Sequence, residues 1–149
     1  MTDAITVDLR GWEVAMAEDV RMLESVVMPR TMARIAQTME DLAQPLAPVA
    51  ERGGGRLRAS VTSDTGRTGD VFSATVGSNV HYAPYMEYGT GDRGAMAPDG
   101  PSYKGNDSGV SYTPGWPGVD PRPFARPALY DYVEVYEAMV EQALREVLG

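Results

Sequence analysis

The sequence predicts an α+β fold, in which a long kinked N-terminal helix and a C-terminal helix pack on a small antiparallel β-sheet. Apolar residues recur at helical spacing in the first third of the chain and again near its end, and period-two alternation lies between them. Separate runs of helix and strand are typical of this fold class. Because 149 residues with 43% hydrophobic content can bury a core, we expect a single domain over 1–149.

The N-terminal third predicts an arm or strand over residues 1–10, followed by a helix. Pro29 interrupts the helical pattern, because a proline in a helix removes one hydrogen bond and crowds the preceding turn. We therefore expect either one kinked helix or two collinear helices that end near Pro45 and Pro48. The apolar stripe comprises Trp12, Met16, Val20, Leu23 and Val27 before this proline and Met32, Ile35, Met39, Leu42 and Leu46 after it.

The middle of the chain predicts a β-hairpin. The Gly/Thr/Asp-rich segment 64–70 predicts its turn, and three glycines at 53–55 separate it from the first helix. A helical turn is expected within 81–88, opening at Tyr85 just after Pro84. The two strands are indicated by alternating apolar series, Leu57, Ala59 and Val61 for the first and Phe72, Ala74 and Val76 for the second.

The last third predicts a long loop and an amphipathic helix. Residues 89–121 are rich in Gly and Pro and poor in aliphatic residues, and 110–113 is a candidate for a short strand among them. Pro127 fits the first turn of the final helix. The apolar face of that helix comprises Leu129, Tyr132, Val133, Tyr136, Met139, Val140, Ala143, Leu144 and Val147.

Composition excludes several classes of function. The chain has no cysteine, so it has neither disulfides nor a thiolate nucleophile. A net charge of −8 argues against sequence-independent binding of nucleic acid, which needs clustered Lys and Arg. We see no signal peptide and no run long enough to span a membrane, so a cytoplasmic location, or an assembly formed there, is expected.

Candidate catalytic groups do not combine into a site. Residues 89–94 match G-x-G-x-x-G, but the dinucleotide motif needs a buried strand before it and a helix after it, so we interpret the match as a flexible loop. His81 is the only histidine, and no nucleophile elbow accompanies it. Glu87 lacks a second carboxylate at diagnostic spacing, which favours a salt bridge between subunits or a hydrogen bond to loop backbone. We therefore expect no enzymatic activity, cofactor or metal.

Two features allow more than one interpretation. Arg52, Arg56, Arg58 and Arg67 are either a solvated face or a surface that pairs with acidic helices of a neighbouring subunit. The tyrosines of the 81–91 segment are either core residues or interface anchors. Because this segment and 121–129 are dense in rigid aromatic and proline residues, they predict protein interaction. The predicted interaction residues are Tyr82, Tyr85, Glu87, Tyr88, Trp116, Phe124 and Arg126.

Three segments, in order, resemble a known family. Ala-Pro-Val at 47–49 with Gly-Arg-Leu-Arg-Ala-Ser-Val at 55–61, Tyr-Ala-Pro-Tyr-Met-Glu-Tyr-Gly-Thr at 82–90 and Pro-Phe-Ala-Arg-Pro-Ala-Leu at 123–129 are similar to signatures of small tail-completion (head–tail joining) proteins of long-tailed phages. The resemblance extends from about Ala47 to the C-terminus. The Gly-rich turn at 50–54, the long loop and Pro29 depart from the family pattern.

This resemblance implies a structural virion protein with an α+β fold. It implies a homo-oligomeric ring, commonly sixfold, at the neck or upper tail of the virion, assembled in the host cytoplasm between the connector or adaptor and the tail tube. DNA would pass through such a ring without specific binding, and no membrane would be involved. The alternatives are a minor capsid-associated protein, a monomeric protein-binding module and a small enzyme that uses Glu87, His81 or a serine.

Overall fold

The computed structural model describes residues 2–8, 17–52, 54–94 and 114–149. Its strands are β1 (Thr2–Asp8), β2 (Val61–Thr68) and β3 (Val71–Ser78). Its helices are α1 (Ala17–Met22), α2 (Met28–Leu46), α3 (Arg56–Ser60), α4 (Ala83–Tyr88), α5 (Ala125–Tyr130) and α6 (Val133–Leu148). This mixture of long helices and one small antiparallel sheet confirms the predicted α+β class. Trp12, Met16 and the stretch 110–113 lie outside the described residues.

The first long helix runs through Pro29 without ending. A π-helical turn, Leu23–Val27, joins α1 directly to α2, and Pro29 stands in the first turn of α2. Because proline has no N–H to donate, a wider turn just before it accommodates the missing hydrogen bond. Of the two predicted alternatives, one uninterrupted helical path is therefore the correct one. Its buried stripe includes Met28, Met32, Ile35, Met39 and Ala43.

The sheet has the order β1–β3–β2, with both pairs antiparallel. β3 is central, and its buried residues alternate at Phe72, Ala74 and Val76, as predicted. These side chains face α2, which packs against β2 and β3 and also contacts α5 and α6. The N-terminal strand pairs with β3 in the register Ile5↔Ala74. The core therefore lies between one face of the sheet and the helices.

The predicted first hairpin strand was wrong in position. Leu57 and Ala59 belong to α3, which starts after Gly55 in a left-handed conformation with φ of 107°. The Arg58 guanidinium donates hydrogen bonds to the carbonyl oxygens of Pro45 and Ala47, at 3.0 and 3.1 Å, and so ties α3 to the end of α2. Strand β2 begins only at Val61 and continues through most of the predicted turn, which shrinks to residues 69–70.

The predicted C-terminal helix is divided in two. Helix α5 ends at Tyr130, and α6 begins at Val133 after a two-residue break. The Tyr136 hydroxyl donates a hydrogen bond to the carbonyl oxygen of Ala128, which links the two helices across the break. The short helical turn expected within 81–88 is present as α4, beginning at Ala83. These pieces bring α4 and α5 together.

Candidate functional site

A buried ion pair joins the two aromatic and proline-rich segments. Glu87 lies in α4 and Arg126 in the first turn of α5, and their side chains are 0% and 1% exposed. Arg126 Nε donates to Glu87 Oε1 at 2.9 Å, and Arg126 Nη2 donates to the Glu87 carbonyl oxygen at 2.8 Å. The two residues are 39 positions apart. This pair, which we call the Glu87–Arg126 clamp, therefore fixes the geometry of both segments.

Glu87 also caps helix α5. Its Oε2 accepts the backbone N–H groups of Phe124 at 2.7 Å and Ala125 at 3.1 Å, and its Oε1 accepts that of Arg126 at 3.0 Å. The first N–H groups of a helix lack partners within the helix, and a carboxylate there is also favoured by the helix dipole. Glu87 supplies from another element what a short polar residue at the start of a helix usually supplies.

An aromatic ring completes the clamp. The guanidinium carbon of Arg126 lies 4.1 Å from the centre of the Tyr88 ring, which is close enough for a cation–π interaction. Burial, with a smaller contribution from the nearby Asp3 carboxylate, raises the pKa of Tyr88 to about 12. The phenol is therefore neutral at physiological pH and contributes packing to this cluster. The cluster is a rigid support inside the subunit.

A second link joins the loop after α4 to the chain before α5. Thr90 and Val119 exchange both backbone hydrogen bonds, at 2.9 and 3.1 Å, and the Asp92 N–H donates to the Trp116 carbonyl at 2.7 Å. We call this pairing the loop clasp. Gly118 has a φ of 62°, and a Cβ there would lie 1.8 Å from the Thr90 carbonyl oxygen. This close approach of the two backbones therefore requires a glycine.

The structure separates the predicted interaction residues into two groups. Glu87, Tyr88, Phe124 and Arg126 are buried inside the subunit, where the first and last form the clamp. Tyr85 and Trp116 are each 50% exposed, and Tyr82 is partly buried with its ring edge-to-face against His81. The structure thus brings the set together around α4 and the start of α5, and its role in protein interaction stays a prediction.

The predicted basic cluster is also divided. Arg67 forms an ion pair with Glu24 at 2.9 Å and stacks over the Phe72 ring within the subunit. Arg56 lies elsewhere, on the wall of a concave surface that it shares with Arg122. All four arginines are exposed, and three of them, Arg52, Arg56 and Arg58, lie near the end of α2. Arg67 is separated from these three by its contacts with Glu24 and Phe72.

Sequence reasoning missed Asp3, which lies beside the clamp. Strand β1 places Asp3 on the same face as Ile5 and Val7, opposite Val76 of β3. Its Oδ2 atom is buried without a hydrogen-bond partner among the described residues. Burial, followed by repulsion from the Glu87 carboxylate, raises the pKa of Asp3 to about 6. The period-two spacing of Asp3, Ile5 and Val7 was the available signal, because it puts a carboxylate on the apolar face.

Replacing Asp3 with asparagine should stabilise the protein at pH 7–8. Folding raises the pKa of the Asp3 carboxyl group from 3.8 to about 6. The stability that this group contributes is therefore present in full below pH 4 and is lost as the pH rises through 6. The side chain is only half-buried and solvent screens its charge, so we expect a gain of about 1 kcal/mol at pH 8.

Urea unfolding from pH 3.5 to 8 checks this expectation. The gain should disappear below about pH 4, where Asp3 is protonated in both the folded and unfolded states. Asp120→Asn makes the same chemical change at an exposed position and should leave the pH profile of the wild type unaltered. A constant difference between Asp3→Asn and wild type at all pH values would contradict the titration of Asp3.

Other kinds of site receive no support from the described residues. Within 2–8, 17–52, 54–94 and 114–149, no group of three or more His, Asp or Glu side chains is arranged to hold a metal ion. None of the helices in those ranges has the length and hydrophobicity to cross a bilayer.

A comparison with protein families matches about the first half of the chain, up to the end of α4. Residues 16–89 match a family model described as "Bacteriophage HK97-gp10, putative tail-component". The matched region covers the first helices, the hairpin and α4 with Glu87, and it ends before Arg126. No curated protein and no solved structure matches the chain. The match confirms the predicted resemblance: residues 16–89, just under half of the chain, are similar to the HK97-gp10-like family of bacteriophage tail components.

Proposed function

We propose that this protein forms a ring, six copies in number, at the head–tail neck of the virion, where it joins the connector to the tail tube. Its family supplies the coarser statement, that it is a structural component of a phage tail and part of the virion. One observation supports the ring: helix α4 is held by buried contacts and also carries an exposed aromatic side chain. The clamp fixes α4 from inside, while Tyr85 of the same helix is 50% exposed.

A preorganised aromatic side chain is a favourable contact for a partner subunit. Tyrosine contributes a large contact area for few rotatable bonds, and binding energy concentrates on such residues. The clamp holds α4 through a buried ion pair and backbone hydrogen bonds, so Tyr85 needs little further ordering when a partner binds. The loop clasp holds the backbone of Trp116, so its exposed side chain also needs little further ordering when a partner binds.

The charge of the chain supports a position on the path of DNA. A protein with a net charge of −8 repels the phosphate backbone on average, and a ring of several copies multiplies that charge. DNA passing such a ring would meet little adhesion. We propose accordingly that DNA passes through the ring without specific binding.

The geometry favours this structural role over catalysis. Glu87 was the strongest acidic candidate for an active site, but both of its carboxylate oxygens accept hydrogen bonds from Phe124, Ala125 and Arg126. A general acid or base needs a free position within reach of a substrate proton. Glu87 is instead fully used in capping α5 and holding Arg126.

The proposal is tested by the mass of the purified protein in solution. Light scattering coupled to size exclusion, with the protein alone and mixed with the tail-tube protein of the same virus, should give a species of about six copies. Labelled antibody viewed on intact virions should mark the neck. Label distributed over the head would favour a minor capsid protein, and a monomer in both solutions would favour a monomeric binding module.

Replacing Tyr85 with alanine should weaken assembly without destabilising the subunit. An anchor of this type is worth about 2 kcal/mol or more per interface. The Tyr85 side chain is half-exposed and has no hydrogen bond to another described side chain, so its removal should change folding stability by only about 0.5 kcal/mol. Sedimentation velocity over a concentration series and thermal unfolding measure the two effects separately.

Phe124→Ala provides the contrast, because Phe124 is fully buried. Removing its ring should cost about 3–5 kcal/mol of folding stability. Any loss of assembly in Phe124→Ala should then follow the fraction of folded protein. Tyr85→Ala that assembles like wild type would remove Tyr85 from the interface.

A further inference from the structure

We infer that neighbouring copies join head to tail through two surfaces of this chain. One, the acidic groove, is an apolar groove between β1 and α6 with glutamates on one side, and the other is a basic surface beside α3 and α4. The inference rests on the proposed ring and adds the identity of its contact. Neither surface shares a lining residue with the other. Two different surfaces that bind each other generate a heterologous interface, which closes into a ring when the rotation per subunit permits.

The acidic groove is the larger concavity of the two. Its volume is about 520 Å³, and it lies between strand β1 and one side of helix α6. Ile5, Val133, Val140 and Leu144 supply its apolar lining, although each remains only partly buried within the subunit. Glu137 and Glu141 stand on its α6 side and are exposed. No arginine is among the described residues that line it, but Arg145 outside the lining forms an exposed ion pair with Glu141, so Glu137 is the carboxylate on which the proposed contact depends.

The two edges of the sheet are not equivalent. At the β2 edge, side chains of α2 occupy the backbone groups: Glu40 accepts the Ser63 N–H at 2.8 Å, and Gln44 donates to the Val61 carbonyl at 3.3 Å. Such coverage protects an edge strand from pairing with another chain. Strand β1 forms the other edge of the described sheet and borders the groove. The β1 edge is therefore the one that borders the groove, and α5 also contacts this strand.

The basic surface carries the opposite charge. Arg56 and Arg122 line a concavity together with Val49 and Tyr82, and no described residue that lines it is acidic. Both arginines and Val49 are exposed, and Tyr85 projects from the same helix as the lining residue Met86. The surface thus offers apolar side chains together with two cations. Those features complement an apolar groove flanked by two carboxylates.

This complementarity favours a second copy as the occupant of the groove. Charges of opposite sign steer association and fix the register of an interface, while apolar contacts at its centre supply affinity. A contact of this type should weaken as salt concentration rises, because the rim charges are exposed to solvent. The interaction left open for the arginines from sequence, pairing with acidic helices of a neighbour, is assigned in this way to Arg56 and to α6.

Charge reversal tests the contact. Glu137→Lys and Arg122→Glu are each expected to weaken self-association about tenfold or more, because each places like charges across the interface. The variant with both reversals should recover at least part of the lost affinity, since opposite charges face each other again. Glu18→Lys makes the same change at an exposed position outside both surfaces and should associate like wild type. Analytical ultracentrifugation of the full chain at low salt measures all four variants.

Three results would overturn this contact or the ring. If wild type assembles and both single reversals assemble equally well, the ring stands and the two surfaces are wrong. If the single reversals weaken assembly but the double reversal recovers nothing, both surfaces take part and their pairing with each other is wrong. If wild type is monomeric under every condition, the proposed ring is overturned and this contact with it.

A cysteine pair gives an independent readout, because the natural chain has no cysteine. Under oxidising conditions, Glu137→Cys/Arg122→Cys should cross-link into a ladder of species up to a closed ring. An isologous dimer would stop at two copies, and a product without cross-links in an assembled sample would contradict the contact. Thermal unfolding of the reduced variant establishes that the subunit remains folded.

Discussion

Replacing Glu87 with glutamine is expected to lower the free energy of unfolding by about 3–5 kcal/mol, since it removes one member of a buried ion pair. The Arg126 side chain is 1% exposed and would keep its charge over the Tyr88 ring, while the carboxylate that bonds it directly is removed and the more distant Asp3 carboxylate remains. A glutamine amide also presents N–H donors where the native carboxylate accepts four hydrogen bonds. The donors at the start of α5 would then lose part of their acceptors.

Replacing the other member of the pair, Arg126, should cost less folding stability. In Arg126→Met, the Glu87 carboxylate keeps the three backbone N–H donors of Phe124, Ala125 and residue 126. Methionine also fills much of the volume of the arginine stem. We therefore expect a loss of about 2–3 kcal/mol, which is smaller than that of Glu87→Gln. The double variant measures the coupling between the two side chains, expected at 1 kcal/mol or more (order of magnitude).

The exposed pair Glu146–Arg30 supplies the matched control. Its side chains are 50% and 64% exposed, so Glu146→Gln should change stability by less than about 0.5 kcal/mol. Urea unfolding of all variants at pH 7 gives the comparison. If Glu87→Gln costs no more than Glu146→Gln, the clamp is not a structural centre of this fold.

Much of the fold could be predicted because periodicity records which face of an element is buried. The stripe through Met32, Ile35 and Met39 predicts α2, and the alternation at Phe72, Ala74 and Val76 predicts β3, and both are confirmed. Each pattern repeats often enough for one period to fit and the other to fail. The α+β class follows from these long segments.

In short segments, the periodicity of apolar residues does not distinguish a helix from a strand. The apolar series Leu57, Ala59 and Val61 alternates as in a strand. The five-residue helix α3 buries Leu57 just as a strand would, so the alternation does not distinguish the two structures. The choice is made by tertiary contacts, above all the hydrogen bonds from Arg58 to the end of α2. Those partners lie more than ten positions away along the chain, where a local pattern does not reach.

The candidate site was also predictable only in part. Aromatic density marked the segments 81–91 and 121–129, but it did not reveal that Glu87 and Arg126 would bind each other across 39 positions. Single charges in two separate segments have many possible partners. Nor did the glycines of the loop indicate their contacts, since a Gly-rich run is typical both of flexible loops and of closely paired backbones.

Replacing Gly118 with alanine should disrupt the loop clasp, at a cost of about 3 kcal/mol or more. A left-handed conformation costs a non-glycine residue about 1–2 kcal/mol, and the φ of Gly118 is 62°. The added Cβ would also lie 1.8 Å from the Thr90 carbonyl oxygen, so the paired backbones must separate. Both Thr90–Val119 hydrogen bonds would then be lost, at about 1 kcal/mol each.

Gly115 provides a control within the same loop. Its φ is 76°, but a Cβ built on it would meet nothing within 4 Å, so Gly115→Ala should cost only the conformational term of about 1–2 kcal/mol. Hydrogen exchange at the Thr90 and Val119 amides distinguishes the two variants, because protection should fall sharply in Gly118→Ala and persist in Gly115→Ala. Equal loss of stability and equal protection in the two variants would mean that φ alone, and not the close approach to Thr90, requires glycine at position 118.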